Sequence, residues 1–425
     1  MNIAILGYGK EGHSAQKYFE ARGDTVQIFD GFSLAELKTF DLRPYDLVLR
    51  SPSVPPLYKI FPDSPQSPAV LASRNWSSLT KYFFDNCPAP IIGVTGTKGK
   101  GTTCSLITTI LEHLGFTAHL VGNIGTPAID LLDKISPSDV IVYELSSFQL
   151  WDLEVSPKIS VVLRVEPDHL NVHRDYADYV SAKSNLCRLQ TPSDSCIFFK
   201  NNPDSAKIAQ LSPAQKFPYP LSEKSELLDN LFFFLNVPGA HNRENAEAAL
   251  LAVSAFLDQP LPAFLEDHFD QLKSAFKSFR GLPHRLEFVR TKDGIKFYDD
   301  NFSTTTPSLE VALRAFPNDR LVLIAGGRDK TDYADLPAIA KLLTSTKNLE
   351  KVVLLGESGH KLYSDFPSAK FLLADSLADA VEKSFSAAKL TSASVVLMSP
   401  AAASFDMFEN VYDRGAQYQT IVKNL

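Results

Sequence analysis

The amino-acid sequence predicts an α/β protein of three domains. Short apolar strands alternate with helical segments from one end of the chain to the other, a pattern typical of mostly parallel sheets covered by helices on both faces. Proline- and glycine-rich stretches near residue 90 and at residues 281–283 interrupt this alternation. The predicted domains are therefore residues 1–90, 91–282 and 283–425.

The first predicted domain opens with a βαβ unit. The strand Ile3–Leu6 is followed by a glycine-rich turn, a helix ending near Arg22 and the strand Val26–Phe29. The turn has the spacing Gly7-x-Gly9-x-x-Gly12, and Asp30 closes the second strand, as in dinucleotide-binding proteins. This pattern is weak by itself, because a tight turn explains it equally well. A nicotinamide cofactor and the diphosphate of a nucleotide sugar would both suit the helix end.

The other two domains repeat the alternation, with apolar runs that are expected to form buried strands. Of two predicted helices in the second domain, one runs from about Thr102, after a glycine-rich loop, to Leu114, and the other contains Asn245–Phe256. The remaining predicted elements are the proline-rich region 51–68, a helix near 77–84, and the strands Ile91–Thr95, Val140–Glu144, Ile159–Val165, Gly294–Tyr298, Leu321–Ala325, Val352–Leu355 and Val395–Met398.

The charge, cysteine spacing and apolar runs of the sequence argue against several classes of protein. The net charge is −7 and the chain has no Lys/Arg cluster, so a nucleic-acid partner is not expected. The four cysteines form no CxxC pattern, which favours reduced thiols over disulfides or a zinc site. No apolar run reaches the ~20 residues of a membrane span, and no leader peptide is evident. We therefore expect a cytoplasmic protein without a membrane partner.

A glycine-rich loop between a predicted strand and helix indicates phosphate binding. Its glycines would let backbone N–H groups face a phosphate at a helix N-terminus, and Lys100 would add a positive charge. The strict GxxxxGK[ST] pattern is not met, since Val94 and Gly101 occupy two of its positions. A plain turn with solvated lysines is the alternative, and the strand–loop–helix context favours phosphate binding. The loop residues are Gly96, Thr97, Lys98, Gly99, Lys100, Gly101, Thr102 and Thr103.

Polar residues follow two further predicted strands. Glu144, at the end of a strand beside the phosphate loop, is well placed to hold Mg²⁺, although a solvated strand-end carboxylate is equally consistent with the pattern. Asp168-His169 follows another strand, and a lone histidine is more often structural, because Mg²⁺ prefers oxygen ligands. Lys183 by itself resembles a solvated helix lysine.

Taken together, several motifs resemble the Mur ligases, the family that builds the peptidoglycan stem peptide. The motifs occur in the family's order and span nearly the whole chain. Each is modestly specific, and the set is strongly so. They are residues 96–103, 122–125 (Gly-Asn-Ile-Gly), 144–149 (Glu-Leu-Ser-Ser-Phe-Gln), 168–170 (Asp-His-Leu), 239–245, 281–285 (Gly-Leu-Pro-His-Arg) and 399–406.

The resemblance implies a Rossmann-like N-terminal domain that binds a uridine nucleotide, a central P-loop ATPase-like domain that binds ATP, and a Rossmann-like C-terminal domain that binds an amino acid. It implies an ATP-dependent, ADP-forming amide ligase that adds D-glutamate to UDP-N-acetylmuramoyl-L-alanine through an acyl phosphate, with Mg²⁺ as a cofactor. The substrates would be small molecules, and we expect a monomer. Peptidoglycan synthesis would link the protein to cell shape and cell division.

The resemblance also assigns residues by position. Lys100, Glu144, His169 and Lys183 would be catalytic, and Lys183 would carry a carbamate that supplies oxygen to a metal. The metal ligands would be Thr102, Glu144, His169 and Lys183. ATP would contact residues 96–102, Asn242, Asn245, Arg285 and Asp300. The nucleotide and amino-acid substrates would contact Gly7, Gly9, Gly12, Asp30, Ser51, Asn123, Ser146, Thr304, Lys330 and Ser404.

Three departures from the family pattern affect this assignment. Gly101 replaces the usual hydroxyl, so the metal contact would pass to Thr102 or to water. Phe302 stands where related ligases have a lysine, and Val411 stands where an aromatic residue is common near the D-glutamate pocket. Another Mur-type or folylpolyglutamate-type ligase with a different amino-acid substrate is the first alternative. A nucleotide-binding regulatory module without turnover is the second.

Overall fold

The computed structural model describes residues 1–33, 36, 44–56, 75–222 and 225–425. Residues 57–68 of the predicted proline-rich region lie outside these ranges. The described chain forms two compact units. The first comprises Met1–Phe233 with Arg243–Phe276, and the second comprises Phe234–Asn242 with Lys277–Leu425. The domain limits at 90/91 and 282/283 remain a prediction.

The first unit contains two parallel sheets. The smaller has the order β2-β1-β3-β4, with β1 at Asn2–Leu6, β2 at Thr25–Phe29, β3 at Leu47–Arg50 and β4 at Trp76–Ser78. The larger has the order β10-β9-β8-β5-β7-β6. Its strands are β5 (Ile91–Thr95), β6 (Ala118–Gly122), β7 (Val140–Glu144), β8 (Ile159–Val162), β9 (Ser195–Phe199) and β10 (Gln215–Tyr219).

The second unit contains one mixed sheet of order β11-β12-β16-β13-β14-β15, in which β11 and β12 are antiparallel and the other described pairs are parallel. The sheets confirm the predicted α/β class. The strands of this sheet are β11 (Glu287–Lys292), β12 (Ile295–Asp299), β13 (Leu321–Ala325), β14 (Leu349–Leu354), β15 (Phe371–Leu373) and β16 (Val395–Met398).

Helices connect and cover the strands. Several begin with a side-chain cap; the Ser78 hydroxyl, for example, accepts a hydrogen bond from the Lys81 backbone N–H. The α-helices span Lys10–Ala21, Leu79–Asn86, Lys100–His113, Ser147–Leu150, Tyr176–Ser184, Pro203–Gln210, Glu226–Phe232, Ala240–Phe256, Leu261–Asp267, Phe269–Ser278, Thr306–Arg314, Leu336–Ser345, Gly356–Asp365, Leu377–Thr391 and Val411–Asn424.

Within the described ranges no single helix is long and apolar enough to cross a membrane. The bent pair Ala240–Phe256 and Leu261–Asp267 meets that test of length and composition only when its two helices are counted together.

The central strands of the two six-stranded sheets are fully buried. Every residue of β5, β7 and β13 is buried, because each is a largely apolar run between covering helices. Since the strands of the first unit run parallel, the turns after β5, β7 and β8 leave the same edge of the larger sheet. Polar residues in these turns are thereby brought together.

A buried ion pair joins the smaller sheet of the first unit to the larger one. Arg50, at the end of β3, is fully buried. Its Nε donates a hydrogen bond of 2.7 Å to Asp152 Oδ2, and its Nη2 pairs with Asp152 Oδ1. Nη2 also donates to the carbonyl oxygen of Phe148 at 3.2 Å. The guanidinium therefore holds the segment that follows β7.

Candidate functional site

A cavity of about 380 Å³ lies at the carboxyl edge of the larger sheet in the first unit. Six of the predicted site residues line it, from five different segments of the chain. Pro52, Ser53, Ser147, Phe148, Asp168 and Tyr179 also contribute to its wall. The six predicted residues are Gly96, Lys100, Asn123, Ser146, His169 and Lys183.

The phosphate loop turns sharply between β5 and the helix Lys100–His113. Gly99 caps the helix with φ at +88°, a conformation that favours glycine. A Cβ atom at Gly99 would lie 2.5 Å from Asn245 Oδ1, so this glycine also allows the close approach of a predicted ATP-contacting residue. Lys100 is half-buried, and its Nζ donates hydrogen bonds to the carbonyl oxygens of Gly96 and Thr97 at 3.2 and 3.1 Å.

Other loop residues have structural partners. The Thr97 hydroxyl lies 2.8 Å from the Tyr179 hydroxyl and donates to the Glu166 carbonyl oxygen at 2.9 Å. Thr97 therefore ties the loop to the segment after β8. Lys98 is exposed, whereas Gly101 and Thr102 are half-buried in the first turn of the helix.

Lys183 is 1% exposed and lies against the phosphate loop. Its Nζ donates hydrogen bonds to the Gly96 carbonyl oxygen at 2.8 Å and to Thr95 Oγ1 at 3.4 Å. Burial, reinforced by the charge of Lys100, lowers the pKa of Lys183 well below its usual value, and Asp168 and Glu144 oppose this shift. The amine is therefore driven toward its neutral form.

Glu144 ends β7 and is 6% exposed. It does not line the cavity, but its charge acts on both Lys183 and Cys104. His169 has a left-handed backbone, with φ at +53°, and a half-exposed side chain. Its ring centroid lies 4.9 Å from that of Phe148. The Glu144 carboxylate, the His169 imidazole and the Lys183 amine thus approach one edge of the sheet from the end of β7, the turn after β8 and the helix Tyr176–Ser184.

The glycine-rich turn after β1 forms a second group, and its glycines are not among the cavity-lining residues. A Cβ atom added at Gly7 would lie 2.2 Å from Ser51 Oγ. One added at Gly12 would lie 2.3 Å from the carbonyl oxygen of Gly7. Asp30 Oδ1 accepts a hydrogen bond of 2.9 Å from the Tyr8 N–H. Gly9 caps the helix Lys10–Ala21. The five predicted nucleotide-binding residues therefore meet at the end of β1.

A hydrogen-bond chain runs from this turn to the cavity. Gln149 Nε2 donates to Glu11 Oε1 at 2.9 Å, and Gln149 Oε1 accepts from the Ser146 N–H at 2.9 Å and from its hydroxyl at 3.0 Å. Burial raises the pKa of Glu11 to about 7. Sequence analysis assigned no role to Glu11 or Gln149, although both lie within its motifs, because the spacing does not show that the two side chains meet across 138 residues.

The predicted amino-acid contacts lie in the second unit. Lys330 Nζ donates to Thr304 Oγ1 at 3.0 Å. Ser404 is 1% exposed, and its Oγ has no hydrogen-bond partner among the described residues. The turns carrying these residues are joined, since the Ala401 N–H donates to the Ser303 carbonyl oxygen and Arg328 and Ala403 pair through their backbones.

The predicted ATP contacts of the second unit have separate surroundings. The carboxylate of the buried Asp300 accepts hydrogen bonds from Ser399 Oγ at 2.8 Å and the Leu286 N–H at 3.2 Å. Burial raises its pKa to about 7. Arg285 Cζ lies 5.4 Å from the ring centroid of Phe302, and Asn242 Nδ2 donates to the Pro238 carbonyl oxygen at 2.6 Å.

Comparisons with known proteins identify the family of this chain. Residues 94–253 match the Mur ligase middle domain, which includes the phosphate loop and every residue from β7 to Lys183. A UDP-N-acetylmuramoylalanine–D-glutamate ligase of Streptococcus thermophilus is 33% identical over 464 aligned residues, covering 100% of this chain and 97% of the relative.

Two solved structures show the same fold. The UDP-N-acetylmuramate-alanine ligase of Thermotoga maritima has a TM-score of 0.57 at 18% identity, covering 100% of this chain and 99% of that one. The folylpolyglutamate synthase of the same organism has a TM-score of 0.57 at 14% identity, covering 82% and 92%. These two structures show the fold alone, whereas the 33% identity to the Streptococcus thermophilus ligase extends over the full length of the chain. We conclude that the chain belongs to the Mur ligase family.

Proposed function

We propose that the protein is an ATP-dependent, ADP-forming amide ligase that joins D-glutamate to UDP-N-acetylmuramoyl-L-alanine in peptidoglycan precursor synthesis. The observation that carries this proposal is the convergence of Lys100, Asn123, His169 and Lys183 on one cavity beside a phosphate loop. Full-length similarity to the Streptococcus thermophilus ligase supports the choice of substrates.

The reaction has two balanced steps. A carboxylate oxygen of the nucleotide-linked alanine attacks the γ-phosphorus of ATP, and the bond from that phosphorus to ADP breaks. The amine nitrogen of D-glutamate then attacks the acyl-phosphate carbonyl carbon, the carbon–oxygen bond to phosphate breaks, and the amine releases a proton. Lys100 would neutralise charge on the transferred phosphoryl group, and the cavity would hold the reacting groups in line.

The residues near Lys183 fit a magnesium site. A buried carboxylate, Glu144, lies beside an amine that burial drives toward neutrality, so a cation would balance the local negative charge. Glu144 and His169, with Thr102, would hold two magnesium ions, and Lys183 would contribute oxygen as a carbamate, since Mg²⁺ prefers oxygen ligands. Bound Mg²⁺ supplies charge stabilisation to phosphoryl transfer.

Carbamylation of Lys183 rests on the same geometry. Only a neutral amine attacks carbon dioxide, and burial favours that form of Lys183 because it lowers the pKa of the amine well below its usual value. The amine also lies 2.8 Å from the Gly96 carbonyl oxygen. A carbamate there would present its oxygens beside the phosphate loop.

D-Glutamate would bind in the second unit through Lys330, Thr304 and Ser404. A dicarboxylate needs cations and donors to replace lost water, and Lys330 and the unpartnered Ser404 hydroxyl supply both. Phe302 does not supply the positive charge that related ligases have there. The centroid of its ring lies 5.2 Å from that of Tyr412. Arg328 is paired with Glu357 at 3.2 Å. Lys330 would therefore be the cation that recognises the carboxylates of D-glutamate.

One assay tests the substrate assignment. The protein is incubated with ATP, UDP-N-acetylmuramoyl-L-alanine and each of a panel of amino acids, and both ADP and product mass are measured. We expect ADP release that depends on D-glutamate and a product heavier by one glutamyl residue. A preference for L-lysine, meso-diaminopimelate or a neutral amino acid would contradict the D-glutamate assignment. ATP binding without any ADP release would favour a regulatory module.

A further inference from the structure

His173 lies directly behind three of the residues that line the cavity. Its ring is buried, and Nε2 is 2.9 Å from Ser147 Oγ. It stacks on Phe148 with an interplanar angle of 12° and a centroid separation of 5.5 Å, and it meets Tyr179 edge to face at 5.2 Å. One side chain therefore supports the wall formed by Ser147, Phe148 and Tyr179.

The other ring nitrogen joins two further elements. Nδ1 lies 3.0 Å from Asp178 Oδ2, in the helix Tyr176–Ser184 that carries Lys183. It also lies 3.1 Å from Trp151 Nε1, in the segment that follows Glu144. A carboxylate accepts and an indole donates, so Nδ1 bonds one of them at a time. Whichever bond forms, the imidazole lies between the helix Tyr176–Ser184 and the segment that follows Glu144.

His173 is connected to His169 by two routes. The His173 backbone N–H donates a hydrogen bond of 3.0 Å to the His169 carbonyl oxygen, which closes the turn in which His169 has its left-handed backbone. In addition, the Phe148 ring contacts both imidazoles, with centroids 4.9 Å from His169 and 5.5 Å from His173. The main chain and the Phe148 ring thus restrict the orientation of His169.

Contacts through Tyr179 reach Lys183 and the phosphate loop. The Tyr179 ring centroid lies 4.7 Å from Lys183 Nζ, and its hydroxyl lies 2.8 Å from Thr97 Oγ1. Because His173 packs against the same ring, a shift of the imidazole would move the ring under Lys183. Close-packed aromatic groups pass on such displacements, since the interior has few voids.

We propose that His173 is a positioning residue of the phosphoryl-transfer site, which fixes His169 and Lys183 relative to each other through Phe148 and Tyr179. The inference rests on the proposed function, because it takes His169 and Lys183 as ligands of the metal. Partners behind the ligands of a metal typically matter by about 10–100-fold in metal affinity or activity.

Three substitutions separate the contacts of the ring. His173→Phe keeps the aromatic stack and loses the polar contacts of both ring nitrogens. His173→Gln places a polar group near the Nε2 position, and His173→Asn places one near Nδ1. The matched control is His119→Gln, since His119 Nε2 also pairs with a carboxylate, Asp139 Oδ2, at 2.9 Å, and His119 lies toward the opposite end of β6 from the cavity.

The primary measurement is Mn²⁺ affinity in the presence of ADP, followed by electron paramagnetic resonance of the free ion. We expect His173→Phe to weaken Mn²⁺ binding about 10–100-fold, His173→Gln and His173→Asn to weaken it less, and His119→Gln to stay within about twofold of wild type. In steady-state assays His173→Phe should raise the Mg²⁺ concentration for half-maximal activity and leave the KM for D-glutamate unchanged.

A folded His173→Phe variant that binds Mn²⁺ as tightly as wild type would overturn the proposal. Circular dichroism and thermal melting establish folding, and if His173→Phe does not fold, His173→Gln and His173→Asn together become the deciding variants, because neither changes a residue that lines the cavity, and wild-type Mn²⁺ affinity in both would likewise overturn the proposal. If wild type releases no ADP with the proposed substrates, the proposed function fails, while the Mn²⁺ measurement still decides the role of His173.

Discussion

Lys183 Nζ donates a hydrogen bond of 2.8 Å to the carbonyl oxygen of Gly96, the first residue of the phosphate loop. This bond joins the helix Tyr176–Ser184 to the turn after β5. The carbamate proposed for Lys183 would therefore place its oxygens beside the phosphate loop. This hydrogen bond is the structural observation on which the proposed carbamylation of Lys183 can be tested.

Lys183→Ala should lower ADP production by at least about 100-fold, the scale of losing one preorganised group that stabilises the transition state. A short carboxylic acid in the buffer should restore part of the activity by supplying the missing oxygens. Carbon-13 NMR after exposure to labelled bicarbonate should show a carbamate signal in wild type that the variant lacks. Normal turnover by Lys183→Ala would exclude the metal-ligand role.

Lys100→Ala should remove nearly all ADP production while the fold survives. Lys100 is half-buried at the start of its helix, and its Nζ donates hydrogen bonds to two carbonyl oxygens of its own loop. Its loss should therefore cost little stability. Circular dichroism combined with an ATPase assay tests both points. Lys134→Ala, at an exposed position, is the control, and near-wild-type activity of Lys100→Ala would contradict phosphate binding by this loop.

Lys330→Ala should raise the KM for D-glutamate by about tenfold or more, since hydrogen bonds to charged groups contribute roughly 1.5–3 kcal/mol. The KM for ATP should stay unchanged. The exposed Lys341 provides the control substitution, Lys341→Ala. Equal increases in both KM values would argue that Lys330 supports the fold of the second unit and not the amino-acid site.

Asp300→Asn should remove a pH dependence of stability. Burial raises the pKa of Asp300 to about 7, against about 3.9 in the unfolded chain. Between these values the native state holds a proton that the unfolded state lacks, so the free energy of unfolding falls as pH rises from about 4 to about 7, by at most about 4 kcal/mol.

Thermal unfolding at pH 5 and pH 8 checks this expectation. The unfolding temperature of Asp300→Asn relative to wild type should be higher at pH 8 than at pH 5. Asp267→Asn, at an exposed position, should show no such difference. A constant offset for Asp300→Asn at both pH values would mean that its carboxyl does not titrate in this range.

Four strands were predicted from the sequence at the bounds the structure has: Ile91–Thr95, Val140–Glu144, Leu321–Ala325 and Val395–Met398. Each is an apolar run ended by turn residues, and such runs give the clearest signal. The strand predicted as Ile159–Val165 ends at Val162. Beyond it, the Arg164 carbonyl oxygen accepts a hydrogen bond from the Thr97 N–H, so the chain turns to the phosphate loop.

Other features left too weak a signal in the sequence. The strands β4 and β15 have three residues each, which is too short for a period to appear. The motif positions of the candidate site could be assigned from the resemblance, whereas the contacts of His173 with Ser147 and Asp178 could not. They depend on the packing of two helices, and neither residue type nor spacing fixes that packing.

The ion pair between Arg50 and Asp152 restricts which segments of the chain can be exchanged with those of a related ligase. A fragment cut at residue 90 would lose the Asp152 carboxylate and the Phe148 carbonyl oxygen that bond the Arg50 guanidinium, and it would expose an arginine that is fully buried in the intact chain. Within the intact chain, removing one partner of a buried ion pair costs about 3–5 kcal/mol, a large share of the stability of a small domain. The first ninety residues are consequently not an exchangeable module, and a chimaera with a related ligase would need to transfer residues 146–152 along with them.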